Sequence, residues 1–466
     1  MQEQKLERIN MMDRMEKEHI NITSFMLLRH GKVLCEASYE PYDATQLRTV
    51  YSLSKTFTSM AVGIAAGEGK IDLDEKITDL FAAEIENGKI QVGKELASLS
   101  LRHLLRMSTG QEKEPGGSDC WDDMVSAFLR EPFHEMPGEV FRYNSIATYM
   151  LSASLKKKGI DLEHYLEEKL LTPMGISGTR WLRDPKGICV GGFGFSLYPE
   201  VIAKLGQMIL QGGVWNGIQL VPKDYIDMAT SKQIENGDDP DSDWAQGYGY
   251  QMWRCRHNAV RGDGMYGQFC IIHKETDTVL AMTAVTSDMQ GEMNAYYDEV
   301  LLKYQDEPLS EDEKTMEVLK KRLNELHYVR PLPEDDGVDV PEAFKKVDLS
   351  LTSFFDLSLS IEGNTLTLTG KDGEIWYRAE RGCWSKISRK VHCSPFYTEK
   401  DSMDTPVIGA WGVKNGALTI RVYEIEFLEE DTLTLTEAED GIHVSFANTT
   451  IPSNPNEYVK KVIEHS

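Results

Sequence analysis

The stretch "YSLSKTFTSM", Tyr51 to Met60, sets serines and a lysine into a segment that otherwise has the pattern of a buried helix. At about 3.6 residues per turn, Leu53, Phe57, Met60 and Ile64 share one face, while Ser52, Lys55 and Ser59 share another about 100° away. Ala61, Val62 and Ala65 cover the remainder before a stop near Gly67 and Gly69. A helix apolar nearly all round is buried, so Lys55 is expected where a charge is poorly solvated. Desolvation favours the neutral amine, and a neutral amine is a base. Ser52, three residues earlier, brings its Cβ to about 5–6 Å from that of Lys55. Its place at the helix N-terminus adds unpaired N–H groups and a dipole that favour developing negative charge. Nucleophile, base and partial oxyanion support are thus expected from one turn, as covalent acyl transfer requires. The spacing alone is loose, because Ser154 to Lys157, "SLKK", repeats it on what reads as an exposed helix face.

Upstream, residues 20 to 39 read as two strands around a His30-Gly31-Lys32 turn. Downstream, about 75 to 180 is mostly helical in pattern, with "LRHLLRMSTG" ending at Gly110 and longer amphipathic runs in "TYMLSASLKKKGIDLEHYLEEKLL". Strands return between about 245 and 290. The expectation is an α+β domain over 1–307 with a helical block inserted in it. Ser310 and Glu313 form a capping box, and "RPLPEDDGVDVPEA" is a Pro-rich acidic linker, so 308–345 reads as helix and connector. Over 346–466 the period is two, with tight-turn pairs at Asn415-Gly416 and Asp440-Gly441, which predicts an antiparallel β domain.

Length and composition narrow the function. The 466 residues, 41% hydrophobic, support two or three domains with sizeable cores. Fifty Lys and Arg against 75 Asp and Glu leave a net charge of −25, which repels nucleic acid and anionic membranes. The seven cysteines are scattered, without C-x-x-C pairs or metal-ligand spacing, and read as reduced thiols. The N-terminus "MQEQKLERINMMDRMEKEH" is charged and helical in pattern, and no long apolar run occurs, so a cytoplasmic protein without a membrane span is expected.

"TVYSLSKTFTSMAVGIAAGEGKIDLDEKI", "LSLRHLLRMSTG", "MPGEVFRYNSIATYMLSA", "LLTPMGISGTRW", "VGGFGFSLYPEVIAKLGQMIL" and "GYGYQMWRCRHNAVRGDGMYGQ" follow one another in order. Their succession, over about residues 20 to 300, resembles the serine β-lactamase and penicillin-binding-protein superfamily. The likeness is greatest to its class C β-lactamase-like esterase and 6-aminohexanoate-dimer hydrolase branch. The resemblance implies an α/β sandwich with an all-helical insert and an active site between them. It also implies a tyrosine from a Y-x-N motif facing the Ser-Lys pair, which "FRYNS" supplies as Tyr143, with Ser145 where the pattern has Asn. The third motif, normally K-T-G or H-x-G, is Gly262-Asp263-Gly264 here and lacks its cation, for which Arg261 could substitute. By the same alignment the backbone N–H of Met265 joins that of Ser52 in the oxyanion hole.

The implied function is a serine hydrolase of small esters or amides, working through Ser52, Lys55 and Tyr143. The lost cation at Gly262 favours a neutral ester or linear amide over a β-lactam. β-Lactamase or D-amino-acid peptidase activity is the alternative, and a catalytically impaired binding or sensor module is an alternative of another class. No cofactor is expected: "GDGMYG" satisfies G-x-G-x-x-G but runs into the strand-like "QFCIIH" instead of opening a helix. His103 reads as structural, and Asp72 and Asp74 as a solvated turn. Tyr248, Tyr250 and Trp253 are open between pocket lining and core packing.

Overall fold

The computed structural model describes residues 3–116, 118–303, 317–318, 321–323, 332–352, 355–370, 373–391, 403–439, 441–448 and 460–462. The Ser310–Glu313 capping box, Asp440 and Cys393 lie outside the described residues. Two compact units make up the chain, Met1–His327 and Tyr328–Ser466.

In the first unit, helix α1 (Glu3–Lys17) leads into β1 (Ile22–Arg29) and β2 (Lys32–Ser38), which pair antiparallel. His30 and Gly31 between them both take positive φ, 48° and 69°, as a two-residue hairpin turn demands. The sheet continues from the other edge of β1 through strands that come more than 200 residues later. These are β3 (Trp253–Arg254), β4 (Val260–Gly264), β5 (Gln268–His273) and β6 (Thr278–Ala284), in the order β2-β1-β6-β5-β4-β3. Every residue of β5 and β6 is buried, so both faces of the sheet are covered there.

Helix α2 (Ser54–Gly67) carries Lys55; it ends with Gly69 left-handed at φ 67°, where the Lys70 and Gly69 N–H groups donate to Ala65 O and Ala66 O. The "LRHLLRMSTG" helix, α3, is only Leu101–Leu105 and does not reach Gly110. Met107, at φ 54°, takes the left-handed cap, with the Ser108 N–H donating to His103 O and the Met107 N–H to Leu104 O. A non-glycine residue in that role is why the sequence signal pointed too far downstream. Helix α4 (Ser145–Lys157) is capped by the Asn144 side chain, which accepts from the Ala147 N–H. Helix α5 (Pro199–Leu210) packs on β1, β5 and β6. A Cβ on its Gly206 would lie 2.5 Å from Val279 Cγ1 and 2.9 Å from Cys270 Sγ, so glycine sets how closely helix and sheet approach. Helix α6 (Met289–Tyr296) packs on α1.

The described residues of the second unit form one ten-stranded sheet. Its strands are β7 (Lys346–Thr352), β8 (Phe355–Glu362), β9 (Thr365–Gly370), β10 (Ile375–Arg381), β11 (Ser385–Val391), β12 (Met403–Lys414), β13 (Ala417–Glu424), β14 (Glu429–Ala438), β15 (Gly441–Asn448) and β16 (Lys460–Val462). Leu357 and Leu359, Leu366 and Leu368, Leu418 and Ile420, Leu433 and Leu435, and Ile442 and Val444 alternate into one core around Trp411. β7 and β16 approach one another, so the sheet curls. The Asn415-Gly416 turn takes φ 52° and 77°. One pairing departs from the antiparallel expectation: β10 and β12 run parallel at Glu380↔Ala410 and Arg381↔Trp411.

Candidate active site

Strand β4 lies against the start of α2, and its glycines explain how. A Cβ on Gly264 would sit 2.1 Å from Val50 O, and one on Gly262 would sit 2.4 Å from Thr56 Oγ1 and 2.5 Å from Leu53 Cδ1. The period of two puts Arg261 and Asp263 on the other face. Ser52 itself is in a short 3₁₀ turn, Tyr51–Leu53, immediately before the helix. Tyr51 has φ 45° and its ring meets that of Tyr266, φ 65°, edge-on at 5.5 Å. The residues flanking Ser52 and Met265 are therefore clamped together in unusual backbone conformations. Among the described residues, neither the Ser52 nor the Met265 backbone N–H is matched by a backbone carbonyl. The Met265 side chain is 55% exposed and points away from any core role.

Lys55 is only 2% exposed. Its Nζ lies 2.9 Å from Ser52 Oγ, 3.2 Å from Ser145 Oγ and 2.7 Å from Gly192 O. Burial lowers its pKa from the ordinary 10.5 to about 7, opposed by the negative charges of Glu114 and Asp263. A neutral amine has two N–H bonds and one lone pair. Gly192 O can only accept, so one N–H is committed there; the other serves Ser145, and the lone pair is left for the Ser52 hydroxyl proton.

Tyr143, from the segment before α4, stacks on Trp253 with centroids 5.5 Å apart, and the Lys55 amine sits 4.8 Å above its ring. Its hydroxyl interacts with Ser52, while burial and then Asp263 push the phenol pKa well above its ordinary value. Tyr143 therefore holds its proton at neutral pH, and Lys55 is the group able to take one. Ser145 turns toward the same amine. Its backbone N–H donates to Glu114 Oε2 at 2.6 Å, which places an exposed carboxylate at the N-terminus of α4.

Ser52, Lys55, Tyr143 and Ser145 are brought together; other sequence candidates are not. Tyr250 is fully buried, with its hydroxyl accepting from Arg102 Nη1 at 2.6 Å, and belongs to the core. Tyr248, also buried, packs on Phe141 and Trp253 and supports the Tyr143 stack from behind. Arg261 does not substitute for the missing cation. It is fully buried, donates twice to Asp263 Oδ2 at 3.1 and 2.8 Å, and lies over Trp244 at 4.3 Å. Asp263 is 7% exposed and takes a third bond from Trp244 Nε1. His103 bonds Ser100 in a capping box, and Asp74 pairs with Arg102. Glu114 and the carbonyl of Gly192 escape the sequence reading: a lone surface-type glutamate and a backbone carbonyl carry no motif of their own, although "VGGFG" signals a tight backbone approach.

The comparisons with known proteins agree with this architecture. Residues 10–303 match the Beta-lactamase family model. The chain belongs to that family. A Bacillus anthracis protein assigned as a 6-aminohexanoate-dimer hydrolase superimposes with a TM-score of 0.53 at 20% identity, over 62% of this chain and 82% of its own. The octameric penicillin-binding protein homologue of Pyrococcus abyssi does so with a TM-score of 0.51 at 16% identity, over 91% and 97%. EstCE1, a hydrolase with promiscuous acyltransferase activity, gives 0.51 at 13% identity, over 62% and 98%. At these identities the likeness is one of fold. No curated protein sequence matches the chain. Among the described residues no helix is long and apolar enough to cross a membrane.

Proposed function

We propose that this member of the Beta-lactamase family is a serine hydrolase that cleaves a small ester or amide through a covalent acyl-enzyme. The observation that carries the reading is a buried amine, with a pKa near 7, at 2.9 Å from the Ser52 hydroxyl. Ser52 Oγ attacks the substrate carbonyl carbon as its proton passes to Lys55. The N–H groups of Ser52 and Met265 receive the oxyanion. As the tetrahedral intermediate collapses, the bond to the leaving group breaks and that group takes the Lys55 proton, relayed by the Tyr143 hydroxyl. Water then attacks the acyl carbon, returns a proton through Lys55 to Ser52, and the acid departs.

The surroundings of the third motif support an ester or amide over a β-lactam. Gly262 offers no side chain to a substrate carboxylate, and the Arg261 guanidinium is closed off by Asp263 and Trp244. Intact-mass detection of an acyl adduct across ester, amide and lactam substrates, with peptide mapping, tests the assignment. The adduct is expected on Ser52, and Ser52→Ala should abolish it while the far-UV circular dichroism is unchanged. Undiminished turnover in that variant rejects the mechanism.

A further inference from the structure

Resting on the hydrolase reading, we propose that Glu292 is a positioning residue for the oxyanion hole: from behind, its side chain braces the turn that carries the Met265 N–H. That turn, Met265 to Gly267, joins β4 to β5, and two of its carbonyls are tied down. Gln268 Nε2 donates to Met265 O at 3.1 Å and to Ala284 O at 2.7 Å, and the Thr286 N–H donates to Tyr266 O at 3.2 Å. The carbonyls are thereby fixed, and the Met265 N–H is left for the site.

Glu292, on α6, closes the turn from the rear. Gly267 has φ 91°, and a Cβ on it would lie 2.1 Å from Glu292 Oε2 and 2.9 Å from Ala284 Cβ, so the glycine makes room for the carboxyl. Glu292 is fully buried, and neither of its oxygens has a hydrogen-bond partner among the described residues; the same holds for Gln268 Oε1, on the side chain that anchors Met265. The charged groups near it are matched elsewhere: Arg256 pairs with Asp243, which Gln290 also bonds, and Asp298 pairs with Arg14. Asp288 caps α6 at the Gly291 N–H and adds only a negative charge. A carboxylate ion is not sustained in such surroundings. Burial first, then Asp288, pushes the pKa well above its ordinary 4.5, so the group is the neutral acid. Its O–H is a donor beside a turn whose anchor, Gln268 Oε1, still lacks one. An apolar side chain would fill this place at lower cost, and a polar group kept in a core behind a catalytic turn is where stability gives way to function.

Glu292→Gln keeps the size and a donor, whereas Glu292→Met keeps the size alone. Full-length protein is followed by single-turnover acylation of Ser52 with p-nitrophenyl acetate, by binding of phenylboronic acid as a tetrahedral mimic on Ser52, and by denaturant melts at pH 5 and pH 8. Glu292→Met is expected to acylate about 10²-fold more slowly with substrate affinity within about twofold, and to bind the boronic acid at least about tenfold more weakly, while its stability is no lower than the parent's. Glu292→Gln should recover acylation to within about threefold. In the melts the parent should lose ground to Glu292→Gln from pH 5 to pH 8, because the unfolded acid ionises near 4.5 and the buried one does not. Undiminished acylation in Glu292→Met overturns the inference and assigns Glu292 to packing. An equal loss in both variants, or a stability gap that does not change with pH, overturns it as well, since the brace is then not a buried neutral donor. If the parent does not acylate Ser52, the hydrolase reading fails and the positioning role with it, while the melts still report the state of Glu292.

Discussion

Ser-x-x-Lys occurs on two helices of the first unit, and the pairs meet opposite fates. On α2 the serine precedes the first helical turn, so no carbonyl four residues back competes for its hydroxyl, and the lysine reaches it at 2.9 Å. On α4 the pair occupies the last turn. Ser154 is buried, not exposed as its pattern suggested, and donates to Met150 O at 2.6 Å within its own helix. Lys157 turns outward to pair with Glu84, where a cation also suits the helix C-terminus. Spacing is shared; position relative to the helix ends decides whether it makes chemistry or a surface.

The largest contrast is expected from removing each amine. Lys55→Met should lower kcat/KM by about 10³-fold or more, since the nucleophile loses its base, while Lys157→Met should leave it unchanged. Stability should move the other way. A folded pKa near 7 against an ordinary 10.5 means the unfolded chain binds more protons between those values, so the amine costs the fold increasingly as pH falls from 10.5 to 7, and fully below 7. At ~1.4 kcal/mol per tenfold the full cost is about 5 kcal/mol. Stranding Gly192 O and Ser145 Oγ without a donor takes back about 1–3 kcal/mol. Lys55→Met should therefore be more stable than the parent by about 2–4 kcal/mol below pH 7, and the difference should shrink and reverse toward pH 10.5, where only the stranded acceptors count. Denaturant melts at pH 6 and pH 10 check this, and a destabilised variant at pH 6 contradicts the burial argument.

Next in size is Tyr143→Phe, which keeps the stack on Trp253 and removes the proton relay. A loss of about 10²-fold in kcat is expected, with a smaller loss for esters whose leaving group needs no proton, such as p-nitrophenyl esters. Equal losses on both kinds of ester would assign the Tyr143 hydroxyl to holding Ser52 rather than to protonating the leaving group.

The pH profile sharpens the division of labour. With the lysine pKa near 7 and the phenol held protonated, kcat/KM should rise through an acid limb centred near pH 7 and stay high until well above it. A limb near pH 10 would mean that the amine keeps its ordinary pKa and that burial does not make it a base at neutral pH.

Much of this is legible in the sequence for a physical reason: the buried amine, the serine and the apolar faces of α2 are neighbours in sequence, so helical periodicity places them. The alternating leucines of β8, β9, β13 and β14 gave the second sheet in the same way. What could not be read depends on contacts between distant segments. Arg261 looked available for a substrate because nothing in "AVRGDG" shows that two residues on, across one strand face, Asp263 closes on it under Trp244. Tyr250 stays open between pocket lining and core in the sequence because Arg102, nearly 150 residues earlier, is invisible as its partner. Glu114 joined the site only because the segment before α4 folds back onto the Ser145 N–H. The parallel β10/β12 pair likewise follows from a crossover that alternation does not encode.

The smallest expected effect is the one that tests the comparison itself. Ser154→Ala removes a hydroxyl whose one bond is to its own helix, and alanine has the higher helix propensity, so the two changes nearly cancel and stability should move by no more than about 0.5 kcal/mol. Lys157→Met loses a partly exposed ion pair, again worth no more than about 0.5 kcal/mol. Neither should alter kcat, KM or the acid limb. A change in the pH profile of Ser154→Ala, with stability intact, would mean that the far end of α4 communicates with Ser145 at its start, and that the two pairs are not independent.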